Sequence, residues 1–173
     1  MNIKRALQER IRSDLLENDK IVVLYGARQT GKTTLSNKIL NSVTGKILKI
    51  NADEIRYIDI LSSRNFQKME LLVGDYNILF IDEAQRIPDI GINLKIIHEN
   101  LPKMKILVTG SSSFELANKV KEPLTGRTIT HTLYPISLGE LRPFLNKFDL
   151  QNHLEEYMIY GMYPELFKYK QGI

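Results

Sequence analysis

Ile21-Val22-Val23-Leu24-Tyr25-Gly26-Ala27-Arg28-Gln29-Thr30-Gly31-Lys32-Thr33 is the stretch whose reading decides the fold. Its first five residues are β-branched, aliphatic or aromatic, the run expected of a parallel strand buried on both faces. Its last eight spell G-x-x-x-x-G-K-[ST]. From Thr33 to Val43, Leu35, Ile39 and Leu40 recur on one face of a predicted helix. Strand, glycine loop and helix in that order form a phosphate cradle. Gly26 and Gly31 let the backbone turn, so that the N–H groups of the loop (Gly26, Ala27, Arg28, Gln29, Thr30, Gly31, Lys32, Thr33, Thr34) and the helix N-terminus converge on a β-phosphate. Lys32 sets a cation against the β- and γ-phosphates, and the Thr33 hydroxyl is placed to ligate Mg²⁺. The motif implies a bound nucleoside triphosphate.

Outward from this loop, strands and helices alternate. Ile3, Leu7, Ile11 and Leu15 repeat every four residues and predict an amphipathic first helix ended by Asn18-Asp19. Further strands are predicted at 46–50, 77–81, 105–109 and 128–133. Helices are predicted over 54–75, with Phe66, Met69 and Val73 on one face, and from Pro88-Asp89, with Ile90, Leu94, Ile97 and Leu101 as a stripe. This alternation predicts an α/β fold: a three-layer sandwich around a parallel five-stranded sheet of the P-loop type. Residues 1–135 read as the nucleotide-binding core. Residues 136–173 read as a helical segment, the beginning of a lid subdomain cut short at Ile173, as in a fragment of a longer protein.

The second chemical signal is Ile78-Leu79-Phe80-Ile81-Asp82-Glu83, an apolar strand running into two acids. An acid at the carboxyl end of a central strand, on the edge that carries the glycine loop, is where Mg²⁺ is held. Asp82 is assigned to the metal through water, because Mg²⁺ keeps much of its hydration shell. Glu83 is assigned to orient or deprotonate the attacking water. The strand at 46–50 intervenes in sequence between the loop and these acids. Together with Glu83, it points to hydrolysing ATPases with an added central strand rather than to small kinases or GTPases.

Two further signals are weaker. The strand at 105–109 ends in Thr109-Gly110-Ser111-Ser112-Ser113, where Thr109 or Ser111 can align the water; a serine-rich turn capping the next helix reads the same letters. Arg127, in Leu124-Thr125-Gly126-Arg127, can stabilise transition-state charge in its own site or a neighbouring subunit's, worth about 10³–10⁵ in turnover; it can equally be a surface arginine. Action on a neighbour implies a homo-oligomer.

These motifs resemble a family of bacterial and archaeal ATPases with an AAA-type domain, which pair a Gly-Ala-Arg-Gln-x-Gly-Lys-Thr-Thr loop with an Asp-Glu-x-Gln motif. The matching segments are Gly26 to Thr34 and Asp82-Glu83-Ala84-Gln85. The similarity continues through Thr109-Gly110-Ser111-Ser112-Ser113, Leu124-Thr125-Gly126-Arg127, Tyr134-Pro135 and Gly161-Met162-Tyr163-Pro164-Glu165. It implies Lys32 and Thr33 as phosphate and magnesium residues, Asp82 and Glu83 as metal and water residues, and ATP hydrolysis. The family's members continue through a helical lid into a C-terminal domain. The expected use of turnover in this chain is a conformational change in such a domain or in a partner.

Composition limits the alternatives. The chain is 43% hydrophobic and 25% charged over 173 residues, ordinary for a globular domain. It has no cysteine, so thiolate metal sites and disulfides are excluded. No long apolar stretch suggests a signal peptide or a membrane span, which makes a cytoplasmic location the expectation. A net charge of +4 is too small to argue for nucleic acid as a partner. Asn146-Lys147-Phe148-Asp149 matches the guanine-reading N-K-x-D pattern but does not follow a strand, which disfavours GTP. His98, His131 and His153 show no metal-ligand spacing. Tyr157, Tyr160, Tyr163 and Tyr169 read as helix packing rather than base stacking. A slow nucleotide-dependent switch is the alternative to an ATP hydrolase. A small-molecule or nucleoside kinase is disfavoured by Glu83.

Overall fold

The computed structural model describes residues 3–111 and 123–167. Five strands form one all-parallel sheet: β1 (Ile21–Gly26), β2 (Ile47–Asn51), β3 (Ile78–Asp82), β4 (Lys105–Ser111) and β5 (Thr128–Thr132), in the order β2-β3-β4-β1-β5. Burial explains why 21–25 is apolar throughout: Val22 and Leu24 face one core, Ile21, Val23 and Tyr25 the other. The first core is closed by α1 (Gln8–Glu17) and α2 (Lys32–Leu40), through Ile11, Leu15, Leu35, Ile39 and Leu40. The second is closed by α3 (Ile55–Leu61), α4 (Phe66–Val73) and α5 (Ile90–Asn100), through Leu61, Met69, Val73, Leu94 and Ile97. The expected three-layer α/β sandwich is what forms.

The strand that separates β1 from β3 in space is β4, whereas the strand that intervenes in sequence, β2, is an edge strand. Central position follows apolarity. Ile106, Leu107 and Val108 of β4 are fully or almost fully buried, whereas β2 carries Lys49 on an exposed position.

The first helix begins at Gln8 rather than at Ile3. Ile3 belongs instead to a third core with Ile136, Leu141, Tyr157 and Phe167, so its side chain points away from the α1 stripe. This third core organises the segment after β5: α6 (Leu138–Leu141), α7 (Lys147–Asn152), α8 (Leu154–Tyr160) and a 3₁₀ turn, Pro164–Phe167. Ser137 and Glu140 form a capping box at the start of α6, each side chain hydrogen-bonded to the other's backbone N–H. Asn146, the first residue of the N-K-x-D match, caps α7 by accepting from Asp149 N at 2.9 Å, so it is a helix start. Of the four tyrosines, Tyr157 packs on Phe167 and Tyr160 is exposed, so the packing role does not extend to Tyr160; Tyr169 lies outside the described residues. No helix among the described residues is long and apolar enough to cross a membrane.

Candidate functional site

The carboxyl ends of β1, β4 and β3 lie side by side and define the site. Parallel register sets Gly26 beside Ser111, at the edge where Asp82 ends β3. Above them opens a cleft of about 460 Å³ lined by loop residues Arg28, Gln29, Gly31, Lys32, Thr33 and Thr34 on one side and by Glu83 and Arg86 on another. Asp53, Pro164 and Glu165 complete its wall.

Backbone conformation makes the loop. Gly31 sits at φ +91°, a left-handed geometry that glycine adopts without penalty. At Gly26 the restriction is space: a Cβ there would meet the Leu133 carbonyl oxygen at 2.5 Å. Lys32 closes the cradle, its ammonium donating to Gly26 O at 2.9 Å and Ala27 O at 3.0 Å. Burial pushes that ammonium below the usual lysine value; the Glu83 and Asp82 carboxylates oppose the shift and Arg28 adds to it. A buried lysine held by two carbonyls among acids is primed to trade them for phosphate oxygens.

Asp82 is fixed from both sides. Thr33 Oγ1 donates to its Oδ2 at 2.7 Å, and Thr109 Oγ1 donates to its Oδ1. Thr109 also accepts from the Glu83 N–H at 3.3 Å. The structure therefore joins loop, acid pair and β4 tip through one hydroxyl on each flank. Ser111 lies at the end of β4 beside Gly26; Ser112 and Ser113 lie outside the described residues. Glu83 has φ +54° and ψ +41°, a left-handed conformation that costs a non-glycine residue on the order of 1–3 kcal/mol.

Thr33 and Asp82 suit Mg²⁺ by donor chemistry. They are a hydroxyl and a carboxylate in contact, and Mg²⁺ takes one or two protein oxygens and completes its shell with water and phosphate. Among the described residues no group of three or more His, Cys, Asp or Glu could hold an ion by itself.

Arg127 is not brought to this site. Its carbonyl accepts from Ile21 N at 2.9 Å, which places it at the amino ends of β1 and β5. The length of β1, five steps of about 3.3 Å or roughly 17 Å, separates it from the loop. There it pairs with Glu99 at 2.8 Å. Action of Arg127 on its own site is thus incompatible with the structure: a residue that precedes a strand in a parallel sheet starts at the edge opposite the loop. His131 pairs with Asp14 at 2.8 Å and His153 with Glu156 at 3.1 Å, so both serve local packing.

Sequence reasoning missed Arg5. It is 8% exposed and reaches four acceptors. Nε donates to Glu140 Oε1 at 3.1 Å, Nη1 to Thr30 O at 2.8 Å, and Nη2 to Tyr134 O at 2.6 Å and Pro135 O at 3.5 Å. One guanidinium ties the phosphate loop to the exit of β5 and to α6. Its only sequence trace was that it interrupts nothing in the Ile3–Leu7 spacing, which hid it inside a predicted helix. Glu140 was recoverable, since Ser137-x-x-Glu140 is a capping-box signature.

Fold and site together define a P-loop nucleotide-binding domain. A model described as AAA domain matches residues 18–142, and the chain belongs to that family. An uncharacterized protein of Methanocaldococcus jannaschii, MJ1544, is 28% identical over 162 residues, covering 86% of this chain and 36% of its own. Rv2008c of Mycobacterium tuberculosis, also uncharacterized, is 35% identical over 114 residues, 65% of this chain and 24% of its own. The chain thus spans about a third or less of these two relatives. Among solved structures, the Walker-type ATPase PabY2304 of Pyrococcus abyssi superposes with a TM-score of 0.58 at 21% identity, over 90% of this chain and 59% of its own. DnaA of Aquifex aeolicus, bound to AMPPCP, gives 0.57 at 17% identity, over 94% and 60%. At these identities both show the shared fold.

Proposed function

We propose that this domain binds ATP with Mg²⁺ and hydrolyses it to ADP and phosphate. The observation that carries the proposal is the Asp82 carboxylate held between the Thr33 and Thr109 hydroxyls, with Glu83 next to it in the cleft of the phosphate loop. When bound, Mg²⁺ supplies charge neutralisation for the β- and γ-phosphates, held by Thr33 and Asp82. Lys32 exchanges its two backbone carbonyls for phosphate oxygens. Glu83 accepts a proton from the attacking water; the water oxygen bonds to the γ-phosphorus, the bond to the β–γ bridging oxygen breaks, and ADP carries off that oxygen. Thr109 holds the Glu83 backbone, and Ser111 stands beside the loop where it can align the water. The AMPPCP seen in the DnaA relative of the fold is consistent with ATP as ligand.

Hydrolysis drives or switches an effector region, a reading supported by Arg5, which joins the loop to the segment after β5. Arg127 has a place in this scheme only in a neighbouring copy's site. Glu83→Gln keeps the side chain's size and removes its basicity. It is expected to abolish phosphate release while ATP still binds, checked by malachite-green turnover and fluorescent-nucleotide titration. Unchanged turnover in that variant refutes the hydrolysis mechanism.

A further inference from the structure

The 3₁₀ turn Ala84–Arg86 follows the acid pair directly and folds one side chain back onto it. Gln85 Nε2 donates to Glu83 Oε2. The other end of the same amide, Oε1, is buried and has no hydrogen-bond partner among the described residues. The orientation of the amide is dictated by chemistry: reversing it would set a carbonyl oxygen against a carboxylate oxygen. A buried acceptor without a protein donor gives up solvation that no protein hydrogen bond returns. The amide is thus oriented by its contact with the Glu83 carboxylate.

The backbone supports the same reading. Glu83 leaves β3 in a left-handed conformation, and its N–H is held by Thr109 Oγ1 at 3.3 Å. Thr109 therefore fixes where the residue starts and Gln85 fixes where its carboxylate ends. Between them Ala84 is fully buried, so the turn has no room to re-route either contact.

We propose that Gln85 is the positioning residue of the general base: its amide anchors Oε2 of Glu83 and leaves Oε1 to take the proton of the attacking water. The inference rests on the hydrolysis mechanism above. Gln85 touches neither nucleotide nor water in this scheme; it acts through Glu83.

Gln85→Met keeps the length and removes both the donor and the orphaned acceptor. Turnover (kcat) is expected to fall by about 10- to 100-fold, the usual effect of losing an outer hydrogen-bond partner. KM and ATP affinity should stay within about twofold, because no nucleotide contact is altered. The melting temperature should hold or rise, since the buried unsatisfied oxygen is gone. A contact of purely structural value would move stability down instead. Gln85→Asn, an amide too short to reach the carboxylate, should show the same kcat loss and guards against a misfolded methionine variant. Unchanged kcat in both variants, or a kcat loss matched by a lower melting temperature, overturns the proposal. If wild-type turnover survives Glu83→Gln, the hydrolysis mechanism fails first and the positioning role with it. If Glu83→Gln is dead and Gln85→Met is fully active, the positioning role alone fails.

Discussion

Removing the Arg5 side chain is the most informative perturbation of this fold. Arg5→Ala deletes the guanidinium that reaches Glu140, Thr30 and Tyr134 across 25 to 135 residues of sequence. Both partners of the Arg5–Glu140 pair have side chains 9% exposed. Breaking a pair buried to that degree costs about 3–5 kcal/mol, because the remaining charge keeps its desolvation cost and loses its counter-ion. The loss falls at the lower end here, since Glu140 still accepts from Ala6 N at 2.7 Å and Ser137 N at 2.9 Å. The Thr30 and Tyr134 carbonyls lose a charged donor, and these losses overlap with the first rather than adding to it. A decrease of about 3–4 kcal/mol corresponds to about 6–16 °C in melting temperature for a domain of this size. The pair also predicts acid sensitivity. Burial pushes the Glu140 carboxyl up, but the Ser137 and Ala6 N–H groups and the Arg5 charge outweigh it, and it titrates below the ordinary glutamate range. A carboxyl depressed in the folded state adds stability above its unfolded value, and that contribution disappears as pH falls through the folded one. Wild type therefore steepens its loss of stability on acidification, and Glu140→Gln flattens that limb. Urea unfolding at several pH values measures both effects. If Arg5→Ala loses less than about 1 kcal/mol at neutral pH, the guanidinium does not organise this junction.

Besides the turnover losses expected for Glu83→Gln and Gln85→Met, two outcomes test the rest of the site. Arg127→Ala should leave the turnover of the monomeric protein unchanged and cost no more than about 1 kcal/mol, because its partner Glu99 is a half-exposed ion pair; a turnover loss that grows with protein concentration would assign Arg127 to a neighbouring copy. Gly26→Ala should destabilise the fold by about 1–3 kcal/mol and weaken ATP binding, since a Cβ would press on the Leu133 carbonyl at 2.5 Å; melting and nucleotide titration check both.

The parts of the molecule that were legible in sequence are those whose physics is local. A buried strand, a glycine loop and a helix start lie within Ile21–Leu40, so period and turn chemistry reveal them without knowledge of neighbours. Asp82 and Glu83 were legible because an apolar strand that breaks into acids reports its own carboxyl end. Strand order was only partly so: Lys49 marks β2 as the more exposed strand, but which strand lies between β1 and β3 is decided by three-dimensional packing. The own-site option for Arg127 could have been set aside by sequence argument. Thr128 begins a strand parallel to β1, so the residue before it must lie at the amino edge.

Arg5 marks the limit of that legibility and suggests how the domain is assembled. Its acceptors come from the phosphate loop, the β5 exit and α6, three segments with no periodicity in common. Ile3, two residues earlier, enters the third core with Tyr157 and Phe167, while Ile11 and Leu15, further along, enter the core of α2. Residues 3–15 thus bridge two cores, with the guanidinium at the crossing. The 3₁₀ turn after α8 comes to the same place, because Pro164 Cγ and Arg5 Nη1 stand 3.6 and 3.7 Å from where a Gly31 side chain would begin. Gly31 must therefore be glycine for its φ of +91°, and the atoms that surround it belong to the two segments that flank the sheet in sequence. The loop at Thr30 and Gly31 is therefore held by Arg5, which donates to Thr30 O, and has Pro164 close by.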